Sequence, residues 1–167
     1  METKHQTESR MDPGGYPERR AAPPMRNFAR RLMAYERLEN QSSGAETPAG
    51  FPVCEKLRLH LATFMGKTGF HTLLSRSLAL SIAEVPWLRT VRARADDSLA
   101  GLAELHAQLD PEEFSEGEEV LLAQLLGLLV AFIGEKLTLR LVSEVWPEVP
   151  LNDLNLKNNS DQNEKAK

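Results

Sequence analysis

The sequence predicts an all-α fold: a compact bundle of four or five helices around a long, largely buried central helix at about residues 118–146, with disordered termini. Three observations carry this. Apolar residues recur every three or four positions, and proline and glycine punctuate those runs. Between Val120 and Gly134 only Gln124 interrupts a series of apolar and small side chains. Strands find little support, although Val91-Arg92-Ala93-Arg94 fits alternation as well as a helix, which leaves residues 88–97 open.

Residues 1–23 hold Gly14, Gly15 and several prolines but almost no large apolar side chains, so they cannot offset the entropy of ordering. They are expected as a disordered tail. Pro24 stands where a first helical turn tolerates proline, and after it Met25, Phe28, Leu32 and Tyr35 form an apolar stripe. Arg26, Arg30, Arg31 and Arg37 lie mostly off that stripe, which makes 24–40 a basic amphipathic helix. Residues 41–50 are small, polar and rich in helix breakers, as in a linker, so the bundle domain is expected to span 51–147.

Pro52 opens the next helix, with Val53, Leu57, Leu61, Phe64 and Met65 on one face and Gly66 or Gly69 as its stop. A second follows, with Phe70, Leu73, Leu74, Leu78, Ile82 and Val85 in register until Pro86 removes the donor needed to continue. Leu99, Leu102, Leu105 and Leu109 predict a short third helix capped by Asp97 or Ser98. Asp110-Pro111 followed by Glu112 and Glu113 is a helix start, with carboxylates complementing the positive end of the helix dipole. Pro147 and Pro150 end the last helix, and residues 148–167 are expected as a disordered polar tail.

The central segment is too short for the ~20 apolar residues of a membrane span, so it reads as a buried helix. Lys136, Arg140, Ser143 and Glu144 give its second half a water face. The same face upstream holds Leu122, Leu125, Leu126, Leu129 and Ile133, so the first half is apolar all round. Leaving those side chains in water would cost on the order of 1.5–3 kcal/mol each. Other helices of the chain or a second molecule must cover them. Ala123, Gly127 and Ala131 add a strip of small residues that suits tight core packing or a dimer seam.

Net charge is −4, but residues 51–95 carry 7 basic and 2 acidic side chains whereas 96–120 carry 9 acidic and no basic ones. Opposite blocks suit elements that pair within the fold. An acidic chain has no electrostatic need for nucleic acid. The basic helix fits an acidic surface of its own chain, a partner or a membrane surface, and docking in cis or by exchange onto the acidic block 110–119 is the preferred reading. Arg89, Arg92 and Arg94, beside Trp87, are likewise expected to pair with the acidic block.

Catalytic motifs do not assemble. Gly66-Lys67-Thr68 ends like a phosphate loop, but the opening glycine is replaced by Leu61 and the preceding element is helical. The single Cys54 rules out an internal disulfide, and its place in a first helical turn near Lys56 and Arg58 offers a reactive thiol. A small packed hydrophobe is the plainer account. His5, His60, His71 and His106 lack metal-ligand spacing, though His60 and His71 could meet across the Gly66 turn. The run Glu112, Glu113, Glu116, Glu118, Glu119 supplies carboxylates without separating an acid from a base. No catalytic residue, cofactor or metal is therefore expected.

Cys54-Glu-Lys-Leu-Arg58, the run Leu73–Leu80, Glu84-Val-Pro-Trp-Leu-Arg89 and the run Leu121–Ile133 carry a likeness. From about Phe28 to Pro147 the chain resembles a group of small, all-helical bacterial proteins with no known activity. The resemblance implies a bacterial cytoplasmic origin and one fold over most of the chain, and it implies no site. The first 25 residues and the last 15 lie outside it.

The expected function is a non-enzymatic helical interaction or adaptor module, self-associating as a homodimer or binding a protein partner through the leucine stripe and the basic helix. The alternatives are a ligand-binding or enzymatic bundle with an apolar pocket using Cys54, His60 or His71, and a peripheral membrane protein. The N-terminus lacks the apolar core of a signal peptide and carries acids unlike a transit peptide, so a cytoplasmic setting is expected.

Overall fold

The computed structural model describes residues 21–44 and 51–151. Its architecture is all-α, with five helices among the described residues: α1 (Pro23–Ser43), α2 (Pro52–Glu84), α3 (Leu102–Gln108), α4 (Pro111–Ile133) and α5 (Glu135–Val145). A 3₁₀ turn at Pro86–Thr90 and a two-residue antiparallel ladder, β1 (Arg92–Ala93) with β2 (Leu99–Ala100), join α2 to α3. No helix among the described residues is long and apolar enough to cross a membrane.

Proline starts α1, α2 and α4, where its missing N–H costs nothing and its fixed φ suits the first turn. Helix α1 runs three residues past the predicted end at 40, because the hydroxyls of Ser42 and Ser43 bond back to the carbonyls of Leu38 and Asn40. The expected linker is thus helical up to Ser43, and residues 45–50 lie outside the described residues. So do 1–20 of the expected N-terminal tail and 152–167 of the C-terminal one. Ala21 and Val149, assigned to those tails from sequence, are buried.

Two glycines set the path of the chain. Gly66 (φ 83, ψ 162) interrupts α2 where the sequence placed a stop, and Gly134 (φ 90, ψ 159) divides the expected continuous 118–146 helix into α4 and α5. A side chain would strain the backbone at either position, and glycine does not. The predicted third helix starts three residues late. Leu99 belongs to the ladder, because the Asp96 carboxylate accepts bonds from the Ser98 amide and hydroxyl, and Asp97 adopts φ 66 to close a hairpin. Turn chemistry overrides the leucine period there, and Arg92-Ala93 is extended.

Helix α4 forms the centre, with Val120, Leu121, Leu122, Leu125, Leu126 and Leu129 each at most 1% exposed. Helices α1 and α2 pack on it, and α5 folds back after Gly134. Met25, Phe28, Ala29, Leu32 and Met33 bury one face of α1. The bundle therefore includes the basic helix, which the sequence had set apart from the 51–147 domain.

Candidate functional site

Helix α1 lies antiparallel to α4 and is fixed to it by charge as well as by packing. Arg26 pairs with Glu119 at 2.6 Å and with Glu84 at 3.6 Å, Arg30 reaches Glu119 at 2.8 Å, and Arg37 donates to the Ser115 hydroxyl at 2.7 Å. Arg31 instead donates to the Pro150 carbonyl, and Tyr35 to Glu148. This is the cis docking onto the acidic block that the charge pattern suggested.

A cavity of about 450 Å³ opens where the second half of α1 passes the first turns of α2 and α4. Met33, Pro52, Val53 and Phe114 give it apolar walls, and Glu36, Arg37, His106, Glu112 and Glu118 bring charge and polarity. Phe114 is held by ring contacts with Phe51 (5.2 Å), Trp87 (5.9 Å, nearly parallel) and His106 (4.9 Å, edge-on). Gly117 makes the Trp87 stack feasible, since a Cβ there would sit 2.3 Å from the indole Cζ2.

Two buried carboxylates stand in this region, and they are partnered differently. Glu36, 2% exposed, accepts from Trp146 Nε1 at 2.9 Å and pairs with Lys56 Nζ at 2.9 Å, which ties α1, α2 and the end of α5 together. Glu118, 8% exposed, accepts the Val53 amide at the start of α2. Its Oε2 has no hydrogen-bond partner among the described residues. Burial raises the Glu118 carboxyl to about 7; the Val53 amide and Arg37 oppose the shift, while the charge of Glu36 adds to it.

Of the expected interface, Leu122, Ala123, Leu125, Leu126 and Leu129 are buried within the chain, Gly127 and Ile133 are half-buried, and Ala131 is exposed. The stripe is core, covered in cis, because α1 supplies the apolar face it needs. Phe28 and Leu32 belong to the same core, so the apolar face of the basic helix is not available to a membrane. Cys54 is buried, and burial, with the charges of Glu118 and Glu55, pushes its thiol well up. The anion at the start of α2 is Glu118, so the reactive-thiol reading fails.

His60 and His71 do not share a site, since they contact Glu144 at 2.9 Å and Asp97 at 2.6 Å respectively. No group of three or more metal-ligating side chains is assembled among the described residues. Arg89, Arg92 and Arg94 are exposed, and among the described residues no ion pair joins them to the acidic block. From sequence, Glu118 stands only as one of a run of carboxylates. The available signal was its place four residues after Phe114 and four before Leu122, a carboxylate on the apolar face. Compared with protein families, curated proteins and solved structures, the chain has no match.

Proposed function

We propose that this protein is a small-ligand-binding helical bundle whose site is the cavity beside Glu118. The observation that carries this is Glu118, a buried carboxylate that lines a 450 Å³ cavity and whose Oε2 lacks a hydrogen-bond partner among the described residues. Leaving a buried acceptor unpaired costs about 1–3 kcal/mol, which an apolar residue of similar size would avoid. A ligand that donates to it removes that cost only in the bound state. The cavity volume falls within the ~300–1,000 Å³ typical of small-molecule sites. Binding, not catalysis, is the reading, because the nucleophile adjoining Glu118 is the buried, neutral Cys54.

The test is a fragment screen on the ¹⁵N-labelled full chain by protein-observed NMR. Hits are expected to move the amides of Val53, Ser115 and Glu118 together. A screen whose hits all map elsewhere, or that yields none, overturns the proposal.

A protein-interaction role, with self-association and a cytoplasmic setting, is the second reading. A groove of about 480 Å³ between α2 and α5 favours it, since Leu59 (59% exposed) and Phe64 (48% exposed) line it with Leu141 and Val145. Light scattering should then give a dimer mass that Leu59→Glu with Phe64→Glu reduces to monomer. A monomer in both removes the self-association it proposes.

A further inference from the structure

We infer that the Glu118 cavity takes an organic monocation, an ammonium group on a compact apolar body, with the Glu118 carboxylate as its counter-charge. This inference rests on the binding-site reading above and adds the chemical class of the ligand. Charge selects the class first. Three carboxylates, Glu36, Glu112 and Glu118, face the cavity; Lys56 balances Glu36, which leaves Glu112 and Glu118 against one guanidinium, Arg37, which already donates to Ser115. An anion would meet that excess at short range, and the Val53 N–H at the start of α2 goes to Glu118.

Hydrogen bonding selects it again. An ionised carboxylate only accepts, and its two oxygens offer about four lone-pair directions, so the Val53 bond leaves room for a ligand N–H. Glu36 is less suited to this role, because Trp146 and Lys56 both contact its Oε1 and Lys56 already balances its charge. Glu118 Oε2 is the fully buried carboxylate oxygen in the cavity lining that lacks a donor among the described residues. Met33, Val53 and Phe114 would cover the apolar body.

Such a ligand couples its binding to a proton. The groups facing Glu118 or its cavity are Glu36 and Arg37 from α1, Cys54 from α2, His106 from α3 and Glu112 from α4. With a carboxyl that titrates near 7 in the free protein, an ammonium ion displaces the Glu118 proton. Affinity should therefore fall about tenfold from pH 8 to pH 6, with proton release on binding that grows as pH falls through 7. An anionic ligand would show the opposite slope.

The experiment is calorimetric titration of the full chain with 2-phenylethylamine, 2-phenylethanol and 3-phenylpropionate at pH 6, 7 and 8, in buffers of different ionisation enthalpy, with NMR to locate binding. The amine is expected to bind at the cavity at least tenfold tighter than the alcohol, and the acid not at all. Glu118→Gln should remove most of that preference and the proton release, whereas His60→Gln, outside the cavity, should leave both. If the alcohol or the acid binds at the cavity as tightly as the amine, the cation class is wrong and the binding site stands. If none of the three moves the cavity amides, both fall. The wild-type pH slope and the amine preference are decisive even if Glu118→Gln does not fold.

Discussion

Replacing Glu118 with Gln tests the central electrostatic claim through stability alone. In the unfolded chain this carboxyl titrates near 4.5, and in the folded protein near 7. Between those values the folded state holds a proton that the unfolded state has lost, so stability falls as pH rises through this window. At ~1.36 kcal/mol per pH unit, the gap amounts to about 3 kcal/mol lost by pH 8 relative to pH 4. Gln has nearly the same shape, keeps an oxygen for the Val53 amide and does not titrate. Its stability relative to wild type should therefore change with pH while all other titrations cancel.

The expected difference is small near pH 4 and favours Glu118→Gln by about 3 kcal/mol above pH 7, or roughly 6–12 °C in melting temperature for a chain of this size. Urea unfolding of both proteins from pH 4 to pH 9 measures it directly. Parallel curves, with a difference independent of pH, would show that the folded protein compensates the Glu118 charge and would refute the reasoning.

Three further perturbations follow from the packing. Gly117→Ala should destabilise by about 1–3 kcal/mol in urea unfolding, because its Cβ meets the rigid indole of Trp87 at 2.3 Å; unchanged stability would mean that the ring moves freely. Cys54 should resist a thiol-specific disulfide reagent at pH 8 in the native protein and react at once in denaturant, since burial holds it as the neutral thiol; fast native labelling would contradict that. Leu125→Glu should unfold the chain, seen as lost helical circular dichroism, because it places a charge where the wild-type side chain is fully buried; a folded variant with altered oligomeric state would return the stripe to an interface.

Much of the fold was legible because proline and glycine act locally. The starts at Pro52 and Pro111 and the break at Gly66 are backbone statements that hold in any tertiary setting. Gly134 was misread for the complementary reason. Glycine is tolerated inside helices, and only the surrounding packing decides that it turns the chain. Likewise Leu99 kept the helical period, but the Asp96 turn and the ladder to Arg92–Ala93 claimed it. The leucine stripe looks the same in sequence whether its cover comes from α1 or from another molecule.

The candidate site was nearly illegible, and the two carboxylates show why. Glu36 and Glu118 both fall on apolar faces, at i+4 from Leu32 and from Phe114, so periodicity flags both alike. What separates them is non-local: Trp146 stands 110 residues from Glu36 and supplies its donor, whereas Glu118 receives only the Val53 amide. The first carboxylate is a structural knot whose charge is balanced by Lys56. At the second, burial is opposed by a single amide and a guanidinium that is engaged with Ser115. The cavity beside it supplies space for a further donor, and a carboxyl that titrates near 7 gains most from a donor that is also a cation. That asymmetry, more than the cavity itself, distinguishes a binding site from a packing defect.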